Sequence, residues 1–178
     1  MPQPAWRDLS AADHAALPES RLGGALALIF IAACGIVAVP VAGLVTLVVA
    51  AGPDGVFWTL GAFLTAEGLG PTGSVMRLTL VPQAALFLWA VVFIVVTAAR
   101  LPAGPRIAAL VFAFWATLSA GSQVAIQLAI SPEGIAPSRI PLMLPFMLLD
   151  LVLAAAFWGY MHDGRRPNIY YRRRVPAG

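Results

Sequence analysis

Asp150 is the residue whose place in this 178-residue sequence most needs a chemical explanation. It falls near the middle of an apolar stretch covering 140–161, about 16 Å from either end if the stretch is helical. There an aspartate costs about 2.5 to 3.5 kcal/mol to insert into hydrocarbon. Such a group either carries a proton and hydrogen-bonds to a neighbouring helix, or is ionised beside water or a cation. Its candidate partners lie one apolar stretch earlier. Ser119, Gln123 and Gln127 recur every four residues and share a helix face, with Ser122 beside them. Thr79 and Gln83, also four apart, form a shorter polar stripe. The spacing predicts a polar, outward-opening pocket ending at Asp150, with Ser119 nearest to it in depth. Two uses follow from one geometry: helix-to-helix hydrogen bonding, or a proton- or cation-coupled path.

A second group of reactive side chains follows the last apolar stretch. His162-Asp163 precedes Arg165, Arg166, Tyr170, Tyr171, Arg172, Arg173 and Arg174. No serine or cysteine nucleophile stands near the His-Asp pair, so the segment offers no triad chemistry. Its five arginines and tyrosines predict contact with anionic lipid headgroups or an acidic partner, each basic residue contributing about 1 kcal/mol near an anionic leaflet. A short tethered run is a poor nucleic-acid surface. The two histidines, His14 and His162, lie outside the apolar stretches, and Cys34 is the one cysteine. No metal site, cofactor or catalytic residue is expected, and non-enzymatic function is the reading.

The elements that must position these groups follow from composition. The chain is 60% hydrophobic and 11% charged, with a mean hydropathy of +0.86, against about 25% charge in soluble domains. The apolar residues lie in long runs, as hydrocarbon demands of spanning helices. Four runs are long enough, 22–51, 75–99, 107–130 and 140–161. The fold class expected is therefore all-α: one polytopic membrane domain of four transmembrane helices, with an interfacial stub at 1–20 and a basic tail at 162–178. The stub lacks a basic leading region and carries Asp8, Asp13 and Glu19, so the first span is expected to be retained rather than cleaved.

Within these spans, Gly35, Pro40 and Gly43 predict a kink in the outer half of the first. The ladders Cys34-Ala38-Ala42 and Gly121-Ala125-Ala129 predict close helix packing. The outer loop 52–74, with Asp54 and Glu67, leaves room for a short surface or re-entrant helix over 57–66. Ser10 followed by Asp13 predicts a capped short helix through Leu17. Pro53-Asp54-Gly55 and Pro132-Glu133-Gly134 each precede an arginine and a proline, Arg77 and Pro82 or Arg139 and Pro145, and later Trp89 or Trp158, which hints at two duplicated hairpins.

The Gly23-Gly24-Ala-Leu opening of the first span and the tail Tyr170-Tyr-Arg-Arg-Arg-Val175 resemble features of the domain-of-unknown-function 2569 type, a family of small four-helix bacterial membrane proteins. Ala25 stands where that family carries Trp. The resemblance implies an integral inner-membrane protein and supplies no catalytic residues.

Functionally, the expectation is an accessory or assembly subunit bound to a larger membrane protein. The alternatives are a small proton- or cation-coupled transporter, working as a homo-oligomer through Asp150 and the Gln/Ser stripe, and a small membrane subunit of a multisubunit transporter. Orientation follows from arginine, since lysine is absent. Arg7, Arg21, Arg100, Arg106, Arg165, Arg166, Arg172, Arg173 and Arg174 fall on the side of the termini, against Arg77 and Arg139 opposite. Basic residues resist translocation, which predicts both termini on the cytoplasmic side of a bacterial inner membrane. Reporter fusions at positions 60 and 178 should therefore be active outside and inside, respectively. An external reporter active at position 178 reverses the assignment.

Overall fold

The structure, a computed structural model, describes residues 6–65, 70–131, 133–135 and 137–177. Among these, four helices are long and apolar enough to cross a membrane. The chain runs β1 (Trp6–Asp8), α1 (Ala11–Ala16), a 3-10 turn (Pro18–Ser20), α2 (Gly24–Thr65), α3 (Gly70–Ala98) and α4 (Gly104–Ile130). A second 3-10 turn (Pro137–Arg139), α5 (Ile140–Asp163), α6 (Arg165–Arg172) and β2 (Arg174–Pro176) follow. The protein is all-α apart from the β1–β2 ladder. Glu67 of the outer loop and Pro132 of the hairpin repeat lie outside the described residues.

The long helices pack in sequence order, α2 on α3, α3 on α4 and α4 on α5. Lipid tails are as apolar as leucine, so shape and ring contacts must hold such helices together rather than the hydrophobic effect. The core shows this. Trp89 of α3 stacks on Phe93 at 5.5 Å, tilts against Phe112 of α4 at 4.7 Å and meets Phe157 of α5 edge-on at 5.6 Å. Leu26 and Ala33 close the cluster from α2. Their partly buried neighbours Ile29, Phe30, Ile36 and Val37 complete one helical face at 3.6-residue spacing.

The first span departs from expectation. The backbone breaks not at Gly35, Pro40 or Gly43 but at Gly52, where φ is 70° and ψ 169°. Glycine tolerates the positive φ, and Pro53 both disfavours helical geometry in the residue before it and fits the first turn of the helix after it. The helix then resumes as far as Thr65, so much of the expected outer loop is helical, in keeping with the short helix foreseen there. α3 begins at Gly70, five residues before the expected start. The Cys34-Ala38-Ala42 ladder is also corrected. All three residues are exposed, as is Gly121, because the packing face of α2 lies on the Leu26-Ala33 side.

At the other end the termini are tied together. β1 and β2 pair antiparallel, with Trp6 opposite Pro176 and Asp8 opposite Arg174, which places both termini on one side of the helices. α1 starts as its sequence predicts, Ser10 Oγ accepting from the Asp13 amide at 3.1 Å and donating to Asp13 Oδ2 at 2.7 Å. α6 folds back beneath α3 and α4. Its Tyr170 and Tyr171 are 6% and 4% exposed, with both phenols directed at Thr97. Tyr171 Oη lies 2.6 Å from Thr97 Oγ1, and Tyr170 Oη donates to the Thr97 carbonyl at 3.1 Å. The Tyr171 ring lies so close over Gly104 that a Cβ there would come within 3.1 Å of it.

Burial pushes the Tyr171 phenol up to about 12 from its usual value of 10, against the opposing pull of its bond to Thr97. A raised pKa means that the neutral phenol stabilises the fold fully below pH 10, and that this contribution is lost as pH rises through about 12. In detergent, Tyr171 should therefore ionise later than a free tyrosine when followed by phenolate absorbance. Tyr171→Ala should cost about 3–5 kcal/mol by leaving a cavity, and Tyr171→Phe about 1–3 kcal/mol through the stranded Thr97 hydroxyl. Equal melting temperatures for wild type and Tyr171→Ala would remove this docking role.

Candidate functional site

The polar stripe of α4 is a row of equivalent positions in sequence but not in space. Ser119 Oγ donates to Asp150 Oδ2 at 2.6 Å, joining α4 to α5 at the depth expected. Ser122 turns to the other flank and donates to the Leu78 carbonyl of α3 at 2.6 Å. Gln127 Oε1 accepts from Arg139 Nη1 at 3.0 Å, and the same nitrogen reaches Ser131 Oγ at 3.5 Å. Thr79 bonds back to its own helix at the Met76 carbonyl.

The expected single pocket is consequently two grooves. One, of about 310 Å³, lies between α3 and α4 and is walled by Thr79, Gln83, Ser119, Ser122 and Gln123 among apolar neighbours. The other, of about 410 Å³, lies between α4 and α5 and is walled by Gln123, Gln127, Arg139, Leu142, Met143 and Phe146. Gln123 borders both. Asp150 lines neither groove; it is partly exposed on the α5 side, and Ser119 connects it to the α3–α4 groove. Arg139, read from sequence only as a topology charge, is drawn into the polar set by the short turn that brings it over Gln127. Residues 139 and 150 are separated by about 16 Å of helix, so Arg139 does not neutralise Asp150.

The basic tail also divides. Arg174 Nε pairs with Asp8 Oδ1 at 2.8 Å, and Arg165 Nη2 lies 3.5 Å from Glu19 Oε1. Arg166 Nη1 donates to the Arg21 carbonyl at 3.2 Å. Its guanidinium passes over Gly23 and Gly24, where a Cβ would come within 3.0 and 3.3 Å; that approach, and the φ of +56° at Gly24, account for the glycine pair. Tyr170 and Tyr171, expected at a lipid or partner surface, are corrected to interior positions, since satisfying the end of α3 requires their hydroxyls. Of the expected contact residues, half-buried Arg172 and exposed Arg173 have no carboxylate partner among the described residues and are joined by Arg100, whose guanidinium carbon lies 4.9 Å from the centre of the Tyr170 ring. The side chains of His162 and Asp163 bond to each other at 2.8 Å on an exposed surface, and the His162 carbonyl accepts from Asn168 Nδ2 at 2.9 Å.

Among the described residues, no group of three or more His, Cys, Asp or Glu converges as a metal would need. No family model, no curated protein and no solved structure matches the chain.

The Ser119–Asp150 bond yields a discriminating substitution pair. Asp150→Asn preserves an acceptor for Ser119, so the helix pair should stay within about 1 kcal/mol of wild type. Asp150→Leu strands the serine hydroxyl and should cost about 1–3 kcal/mol. Thermal unfolding in detergent separates them; a leucine variant as stable as wild type refutes the structural role.

Proposed function

We propose that this protein is a non-enzymatic integral membrane protein, seated in a bacterial cytoplasmic membrane with both termini inside, and that it serves as an accessory or assembly subunit of a larger membrane complex. The observation that carries this reading is the unpartnered length of α2. In the most apolar windows of the spans only 6% of residues are buried for α2, against 11% for α5 and 28% for both α3 and α4. From Ala38 to Ala51 nearly every residue is exposed, Val39 and Val49 among them, and beyond the bend Phe57 and Trp58 are exposed beside a buried Val56.

The exposed surface has a composition suited to a protein helix. Gly35, Val39 and Gly43 fall on one line, beside Cys34, Ala38 and Ala42, and small residues at this spacing let two backbones approach closely. A multisubunit transporter is one kind of complex such a subunit would serve.

A carrier reading draws its support from a different feature, the bond through which Ser119 links Asp150 to the α3–α4 groove. It requires Asp150→Asn to abolish transport in a protein that still folds. The subunit reading requires transport-independent association.

Affinity purification from native membranes in mild detergent tests the subunit reading. Wild type should bring down a larger membrane protein at fixed stoichiometry. Gly35→Leu with Gly43→Leu should lose it while folding normally, since a Cβ at either position meets nothing within 4 Å and leucine favours a helix over glycine. Recovery of a homo-oligomer alone, or an unchanged partner with the double variant, defeats the proposal.

A further inference from the structure

Docking of the tail creates a cleft that neither the helices nor the tail possess alone. It has a volume of about 410 Å³ and is lined by Arg100 and Pro102 from the α3–α4 connection and by Tyr171, Arg172, Arg173 and Arg174 from the tail. No carboxylate lines it. Asp8 engages Arg174 from outside, which leaves three guanidinium groups without an acidic partner among the described residues. Two helix C-termini point here, but each contributes only about half a negative charge, so the cleft stays strongly positive.

The backbone adds an independent observation. Among the described residues, Arg100 and Arg173 are the non-glycine residues at positive φ, 50° and 52°. Each occupies the left-handed position that ends a helix. At Arg100 the amide bonds to the Thr97 carbonyl and the Leu101 amide to the Val96 carbonyl; at Arg173 the amide bonds to the Ile169 carbonyl. Glycine is the residue these helix ends ordinarily carry. Both places hold arginine instead, and both arginines line the same cleft.

We infer that this cleft binds the phosphate-bearing headgroup of an anionic phospholipid, held by Arg100, Arg172 and Arg173. Paired guanidinium N–H groups match phosphate oxygens in geometry and charge. Arg172 is already oriented by bonds of 3.4 Å to the Pro102 carbonyl and to Asn168 Oδ1, neither of which neutralises it. Arg100 is braced by the Tyr170 ring. A lipid is favoured over a free anion by position and by what lies alongside. The cleft sits where α3 ends and α4 begins, at headgroup level for two spans. Arg172 also lines an adjoining cleft of about 380 Å³ whose walls include Trp158, Met161 and Ala109. An acyl chain leaving the phosphate would find apolar surface there. The inference is independent of the subunit reading, because it concerns the opposite end of the molecule from the exposed length of α2.

The test uses the full chain, delipidated in detergent and titrated with phosphatidylglycerol, phosphatidylcholine or inorganic phosphate, binding being read by native mass spectrometry. Phosphatidylglycerol should be retained in preference to phosphatidylcholine. Arg100→Gly, Arg173→Gly and Arg172→Gln should each weaken it roughly fivefold, whereas Arg165→Gln, whose guanidinium faces Glu19, should not. The glycine variants should melt no lower than wild type, since glycine suits their φ values, so weakened binding cannot be put down to unfolding. Equal retention of the two lipids, or full binding by Arg172→Gln and both glycine variants, overturns the site. Inorganic phosphate binding as tightly as phosphatidylglycerol overturns its assignment to lipid.

Discussion

The end of α3 must be satisfied at a place where water is scarce, and much of the terminal side of the protein is organised by how that is done. The last carbonyls of any helix have no intrahelical partner. Here the Thr97 carbonyl accepts both the Arg100 amide and the Tyr170 phenol, and the Thr97 hydroxyl meets Tyr171. Two adjacent tyrosines can reach one buried threonine only if α6 lies across the α3–α4 connection. That requirement fixes where α5 ends, and it brings the C-terminal strand beside the N-terminal one. The Arg174–Asp8 pair at the rim is exposed and contributes about 0–1 kcal/mol, and Arg165, paired with the half-buried Glu19, is exposed as well. They decorate an arrangement that burial of Ile169, Tyr170 and Tyr171 holds in place.

Stability is consequently concentrated at one end. The aromatic cluster of Trp89, Phe93, Phe112 and Phe157 and the docked tail adjoin each other, while most residues of α2 between Val37 and Gly52 are exposed. A rigid terminal side and a free apolar helix suit a protein that presents one span to something else. The kink at Gly52 redirects the helix beyond it, where Phe57 and Trp58 are exposed and Val56 is buried.

The spans were legible in the sequence because hydrocarbon imposes a composition that no soluble fold needs. The Ser119–Asp150 bond was legible for a related reason. An aspartate in mid-span must find a donor, and depth arithmetic selected the serine. Gln127 and Asp150 were misassigned to the pocket that Thr79, Gln83, Ser119, Ser122 and Gln123 do share, because spacing along α4 gives the face but not which neighbour competes for it; for Gln127 a guanidinium folded back from Arg139 won. The tail was opaque. Its run of arginines and tyrosines carries no apolar period, and its burial depends on Thr97 and Gly104, remote in sequence. The end of the first span at 51 was legible in Gly52-Pro53, whereas the kink expected at Gly35, Pro40 or Gly43 did not form, since a proline inside a long span need not bend it when neighbouring groups re-satisfy the backbone.

The same arginines serve at two stages that ask different things of them. During insertion, what counts is how many basic residues lie near each end of a span, whatever they later contact, and the tail then acts as a block of positive charge. After folding, the block is sorted. Arg174 and Arg165 are matched by Asp8 and Glu19 from the N-terminal stub, which only a same-side topology can supply. Arg166 is taken up by a backbone carbonyl. Arg172 and Arg173 keep their charge unmatched and are joined by Arg100. Sidedness is therefore a precondition of the latch. The acidic residues of the stub, too few to oppose insertion, suffice to decide which arginines are spent internally and which still face an anion.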